Sequence, residues 1–455
     1  MASFYIFRKF WSKGFGILAG TVTFHSFRMR NSYLKVAFHE SLSSTHARLN
    51  SNREIRPAGQ RVAQPRVGVC FEAPASFDGR QAIFKCSCRL ALMLVITSSL
   101  FSAALVAQRP QSAEYCGNCH RSIEQGWNQS VHSQAMESRL FQDALQMANS
   151  DLGPHGRTVC LGCHAPTVGA TGDLKLELKV TWEGITCDYC HSIRSVNMSA
   201  VNPRATVVYD NVKQGPWKGI TSPAHGTAYS LVHTSSALCA TCHQYKNSLG
   251  FPVLTTYSEW QKGSYAAENK GCQSCHMYRV EGDVVDPRVK RTPNAGINLH
   301  EMPGSHSLTQ LNKAIRGNLL VSHDGGQLRV EVDVTNQGAG HMVPTGSPLR
   351  KLILEVTAFP FGAKPQHQRR VFTRVVADEQ GKELNREDLV FIRAAKVVSD
   401  TRLAPGETKK ESFTFNVPQG VRSTVEADFY YFYSPSAATR AQQEVKFLSF
   451  SRFEQ

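Results

Sequence analysis

The pentapeptide Cys-x-x-Cys-His occurs five times: Cys116–His120, Cys160–His164, Cys187–His191, Cys239–His243 and Cys272–His276. These copies hold ten of the 13 cysteines. Chance at this composition would supply on the order of 0.01 copies. Two thiols at this spacing can both add to the vinyl groups of one haem, and the histidine that follows is then held beneath the ring to ligate the iron. A segment that tethers five such flat apolar bodies within 161 residues is expected to pack around them and not around a core of its own aliphatic side chains.

Two other chemistries use paired cysteines. Zinc would need partner ligands with their own spacing, and gives no reason for a histidine directly after the second cysteine in every copy. Local disulfides or redox-active dithiols would not need that histidine either. The expected cofactor is therefore haem c, five per chain. Its attachment residues are Cys116, Cys119, Cys160, Cys163, Cys187, Cys190, Cys239, Cys242, Cys272 and Cys275, and its proximal iron ligands are His120, His164, His191, His243 and His276.

Length, 455 residues, suggests two or three domains. The formal charge of +15 resembles that of a nucleic-acid binder, but +10 of it falls in residues 1–89. Five haems bring roughly ten propionate charges, so the remaining +5 is more than offset and no polyanion-binding surface is read from it. "KCSCRLALMLVITSSLFSAALVAQ", Lys85 to Gln108, has a basic end, an apolar run and small residues suited to cleavage after Ala104 or Ala107. Residues 85–107 are thus expected to be a secretory signal peptide, or an uncleaved anchor with a basic tail inside. Residues 1–84, basic and without periodicity, are read as an over-extended gene start or a cytoplasmic tail. Either way the haem motifs lie outside the cytoplasm, in the periplasm or at the cell surface of a bacterium.

Residues 108–317 hold all the motifs and are rich in Gly, Pro, Ser, Asn and His. This region is expected to be mostly irregular and α-helical, with helices at Phe141–Ser150 and Ser307–Gly317, the latter opened by a Ser307/Gln310 capping box and stopped by Gly317. The texture then changes. "LLVSHDGGQLRVEVDV" predicts a hairpin about Asp324-Gly325-Gly326. Further strands are predicted at Leu352–Ala358, Val371–Val376, Val390–Val398, Glu411–Phe415, Val425–Phe432 and Val445–Phe450. Residues 318–455 are read as an antiparallel, immunoglobulin-like β-sandwich, making the protein multidomain.

"CGNCHRSIEQGWNQSVHSQAM", from Cys116, resembles the opening haem segment of the cytochrome c-554 family, part of the multihaem group that includes hydroxylamine oxidoreductase. "TTYSEWQKGSYAAENKGCQSCHM" and "LHEMPGSHS" are similar to that group as well, and "VTNQGAGHMVPTGSPLR" resembles a loop of β-domains fused to such cytochromes. The resemblance covers about residues 113–310. It implies haems in close stacked pairs with mostly bis-histidine iron, which suits electron transfer. Carried over residue by residue, it implies His132 as a distal ligand, one of His300 and His306 as another, His225 and His233 as further candidates, and His341 as one that can reach back from the β-region. The sequence departs from the group in having five motifs where the tetrahaem relative has four and the oxidoreductase eight. It has no Cys-x-x-Cys-Lys and no tyrosine marked for cross-linking to a haem.

The expected function is that of a secreted pentahaem cytochrome c moving electrons between extracytoplasmic redox proteins, a carrier more than a catalyst. Its expected partners are those redox proteins and the haem maturation machinery, with no nucleic acid, and with membrane contact only through the N-terminal anchor. Two alternatives stand beside it. One is an oxidoreductase of a small nitrogen or sulfur compound at a haem with an open axial position. The other is a subunit of a cell-surface conduit or filament.

Overall fold

The computed structural model describes residues 109–289, 296–436 and 443–455. The basic segment 1–84, the apolar run 85–107 and Cys70, Cys86 and Cys88 lie outside the described residues. No helix among the described residues is long and apolar enough to cross a membrane.

Residues 109–314 form short helices joined by loops and two-stranded sheets. The second to fifth motifs lie at the ends of helices, and the first runs out of the helix Ala113–Gly117 to His120, whose N–H still donates to the Cys116 carbonyl at 3.0 Å. In a helical turn positions i, i+3 and i+4 fall on one face and bring both thiols and the histidine to the same side. Cys187–His191 shows how such a turn is fixed: the Thr186 side chain caps it by accepting the Tyr189 N–H at 3.1 Å. The helix expected at Phe141–Ser150 is longer, Arg139–His164, and bends at Gly153 (φ 59°) just before Pro154. Its C-terminal part carries the second motif.

The helix expected to stop at Gly317 spans Leu308–Ala314, with the predicted Ser307 cap on the Gln310 N–H. Gly317 does not end it. A strand, Ile315–Asp324, follows directly. A Cβ at Gly317 would lie 2.6 Å from the Phe450 ring, so glycine stands there for close packing within the strand.

The C-terminal region has two large antiparallel sheets and a smaller two-stranded one. One runs Thr408–Phe415, Gln327–Asn336, Ile315–Asp324, with the predicted hairpin pairing Asp324 and Gln327 around Gly325-Gly326. The other runs Gln366–Phe372, Lys351–Pro360, Ser423–Tyr433, Gln443–Glu454. Burial alternates along the strands as the pleat requires. Leu328, Val330, Val332 and Val334 from the first sheet and Leu352, Leu354, Val356, Val425, Ala427 and Phe429 from the second are all fully buried and belong to one apolar core. Burying a side chain of this kind contributes about 1.5–3 kcal/mol, and this core is what lets the region hold its shape beside the motifs.

Two predicted strands differ from the structure. Val371–Val376 is split at Thr373 between Gln366–Phe372 and Arg374–Ala377, which belong to different sheets. Val390–Val398 contains a helix, Glu387–Arg393, followed by a strand, Lys396–Asp400, that pairs with Arg374–Ala377. Val390 and Ala394 pack with Phe251, Val253, Val376 and Leu384 in a second small core that joins the C-terminal region to the motif region. The apolar run was genuine, but its partner is a helix-sized groove and not a neighbouring strand.

Candidate functional site

All five motifs line one cavity of about 1880 Å³. The motifs also adjoin one another. The Cys116 thiol lies beside Cys187, Cys163 beside Cys242, and Cys239 beside Cys272. None of the ten motif cysteines forms a disulfide. Among the described residues, no three of His, Cys, Asp and Glu converge as a zinc site requires.

Four of the five motif histidines face other histidines. Ring centres lie 6.2 Å apart for His120 and His225, 6.3 Å for His132 and His243, 6.3 Å for His191 and His300, and 6.5 Å for His276 and His341. Two imidazoles bound through Nε2 on opposite sides of one metal ion, with metal–nitrogen bonds of about 2 Å, have ring centres about 6 Å apart. The residues therefore fit a six-coordinate haem iron at four places.

Hydrogen bonding supports the same fit. In the four partner histidines Nδ1 is engaged: with the Gly226 carbonyl in His225 (2.9 Å), Met302 Sδ in His132 (2.9 Å), the Asn298 carbonyl in His300 (2.7 Å) and the Met342 carbonyl in His341 (2.8 Å). Among the motif histidines, Nδ1 of His120 meets the Val284 carbonyl at 2.7 Å and that of His191 the Gln214 carbonyl at 2.6 Å. An engaged Nδ1 leaves Nε2 as the ligating nitrogen and fixes the ring's orientation. Burial pushes the pKa of His132 and His300 down to about 4 and that of His243 to about 3, so these rings are neutral near pH 7, the form that binds metal.

His132 owes its place to residues that precede it. Trp127 is buried and donates from Nε1 to the Ile185 carbonyl at 2.8 Å. Ser130 is fully buried, and its Oγ accepts the Ser133 N–H at 3.1 Å. The Ile185 N–H donates to the His132 carbonyl at 3.1 Å. The Trp and Ser between the first motif and His132 are the frame of that histidine.

Two candidates from the sequence are placed differently. His233 stacks on His191 at 5.4 Å, and its Nε2 bonds to the Cys190 carbonyl at 3.0 Å. Its Nε2 is thus taken up by backbone, while Nδ1 is buried without a hydrogen-bond partner. His306 is half-buried near Arg350 and faces no other histidine ring among the described residues.

His164 differs from the other motif histidines. No second histidine ring faces it among the described residues; Phe141 stacks on it, ring centres 3.9 Å apart and planes 10° apart. The cavity is also lined by side chains from the C-terminal region that the sequence did not single out: Arg350, Glu387, Tyr431 and Tyr433. The strand signal for Val425–Phe432 did put Tyr431 on the same face as Phe429, but a core tyrosine and a cavity tyrosine look alike in sequence.

Residues 115–192 match the family described as cytochrome c554 and c-prime. The chain is a multihaem c-type cytochrome. Over 113 residues it is 29% identical to cytochrome c-554 of Nitrosomonas europaea, a stretch that is 23% of this chain and 47% of that protein. The cytochrome thus spans about half the length of this curated relative. A penta-heme cytochrome c552 from Thermochromatium tepidum has a similar fold: TM-score 0.59, 22% identity, 76% of this chain and 99% of that one. The likeness to cytochrome c-554 covers a smaller part of the cytochrome than the likeness of fold does, and at 22% identity the latter speaks for architecture alone.

Proposed function

We propose that the cytochrome carries five covalent haems and passes electrons between redox proteins outside the cytoplasm. The observation that carries this reading is the set of four opposed imidazole pairs, in which all four partner histidines have Nδ1 engaged. Haem c, when bound, supplies one-electron chemistry without large rearrangement of its ligands. The protein's part is to attach, orient and bury. The ten motif thiols hold the rings. His120, His191, His243 and His276 would hold four of the irons together with His225, His300, His132 and His341, and His164 would hold the fifth. His233 and His306 are left outside the ligand set, with His233 supporting Cys190 and its neighbour His191. Adjoining motif thiols support two groups of close contacts, motif one with three, and four with both two and five.

The C-terminal region, residues 318–455, is read as a β-sandwich, its two sheets closing on the shared core. It supplies His341 to the fifth motif and covers the haem array. The segment 85–107 is read as the export signal that delivers the chain to the haem maturation machinery in the periplasm or at the cell surface. Pyridine haemochrome assay and intact mass of exported protein test the count: five haems per chain are expected, and fewer than five would refute the reading.

A further inference from the structure

Three of the five motifs meet on one short segment. The single turn Val232–Thr234 leads through Ser235 and Ser236 into the helix Ala237–His243, which bears the fourth motif. His233 in that turn donates from Nε2 to the Cys190 carbonyl of the third motif at 3.0 Å. The two serines hold the fifth: the Ser235 carbonyl accepts from Gln273 Nε2 at 2.8 Å, and the Ser236 hydroxyl accepts the Cys272 N–H at 3.0 Å. The helix Ala237–His243 also packs on the strand Ile193–Asn197, which continues from the third motif.

His233 is fixed from several sides. Its N–H donates to the Ser230 carbonyl at 3.2 Å, and the Ser230 N–H donates to the Gly215 carbonyl at 2.8 Å. The residue before Gly215 is Gln214, whose carbonyl meets Nδ1 of His191 at 2.6 Å. The His233 ring lies over that of His191 with centres 5.4 Å and planes 21° apart, within the range of an offset stack. The circuit therefore closes, from His191 through Gln214, Gly215, Ser230 and His233 back to Cys190. A carbonyl only accepts, so Nε2 of His233 carries the ring proton. Nδ1 is buried without a partner, which leaves the bond to Cys190 as the ring's one hydrogen bond. A buried ring that gives its single donor to the backbone of a cofactor motif holds that motif in place, as outer partners of metal ligands do.

We propose that His233 is a positioning residue that locks the third motif to the fourth. The proposal rests on the pentahaem reading above. The closest thiol contacts lie within each of the two groups of motifs, one with three and four with two and five. His233 reaches from the second group to the first. Electron transfer falls steeply as the gap between donor and acceptor widens. The lock therefore governs how fast one electron leaves an iron of one group, which is oxidised, and reduces an iron of the other, with no proton or ligand moved.

Two variants separate the donor from the ring. His233→Gln keeps an N–H donor and removes the ring; His233→Phe keeps a ring and removes the donor. Oxidised holoprotein receives one electron from a ruthenium photoreductant by laser flash, and the optical relaxation that follows as the electron spreads among the haems is timed. Haem content and low-spin EPR signals are recorded on the same samples. The expected result is that His233→Phe relaxes several-fold more slowly than wild type while His233→Gln stays close to it, with the number of low-spin signals unchanged in both. His233→Leu, smaller and also without a donor, serves in place of His233→Phe if that variant is not recovered with its haems. A donorless variant as fast as wild type overturns the proposal, as does His233→Gln as slow as the donorless one. Loss of a low-spin signal in any variant would make His233 an iron ligand and overturns it too. Fewer than five haems in wild type refutes the pentahaem reading, whereas a full count with equal rates refutes the lock alone.

Discussion

Arg402 donates to Glu259 at 2.8 Å, a contact between the helix Thr256–Gln261 of the motif region and the C-terminal region, with both side chains about nine-tenths buried. The same carboxylate accepts the Thr255 and Thr345 hydroxyls, each at 2.6 Å, and the Met342 N–H at 3.3 Å. Met342 follows His341 and also supplies the carbonyl that holds its Nδ1. One carboxylate therefore fastens the loop that presents His341 to His276.

Glu259→Gln should loosen that loop without unfolding the protein. Arg402 keeps Asp400, which it grips at 2.8 and 2.9 Å, so no bare charge is left behind. The expected loss is about 1–3 kcal/mol, the scale of a charged hydrogen bond. It should appear as a lowered thermal midpoint of the holoprotein, together with a change in the low-spin EPR signal from the His276–His341 pair only.

Glu387 gives a pH dependence of definite sign. Burial raises its pKa from 4.5 to about 7, against the opposing pull of Ser347 and Arg350. A carboxyl that holds its proton more tightly when folded stabilises the fold below pH 4.5, and that contribution is lost as pH rises to about 7. Between these values wild-type stability should fall relative to Glu387→Gln, which cannot ionise. Parallel curves for the two proteins in denaturant titrations across this window would contradict the assignment.

Replacing each partner histidine by alanine should have one local effect. His132→Ala, His225→Ala, His300→Ala and His341→Ala are each expected to convert one haem in five from low to high spin, read by EPR. His233→Ala and His306→Ala should leave the number of low-spin signals unchanged, since the Nε2 of one is engaged by backbone and the other faces no motif histidine.

The two-sheet core should respond as a packed interior. Phe429 is fully buried and meets Phe447 and Phe450 at 6.2 Å between ring centres. Phe429→Ala is expected to cost about 3–5 kcal/mol, seen as a lower denaturation midpoint by far-UV circular dichroism. Leu354→Ala, in the adjoining strand, should cost about 2–5 kcal/mol.

The hairpin at Gly325-Gly326, the Ser307 cap and most C-terminal strands were legible in sequence because turn chemistry and two-residue alternation are local. The segment Val390–Val398 was not. Its apolar residues satisfy a strand template, and only the groove formed with Phe251, Val253 and Val376 makes a helix the better burial. The role of Gly317 was misread for the same reason: a helix stop and a close approach to Phe450 both call for glycine.

The ligand set divides along the same line. By itself the sequence determined the cofactor and its points of attachment, because Cys-x-x-Cys-His places both thiols and the histidine on one helical turn, a geometry complete within five residues. Only the tertiary structure decided which other histidines stand opposite, and it left His164 beside Phe141 and brought Arg350 and Tyr431 from a distant part of the chain to the same cavity. Facing across an iron depends on how segments separated by up to 111 residues pack, as for His132 and His243, and that distance is set by the fold.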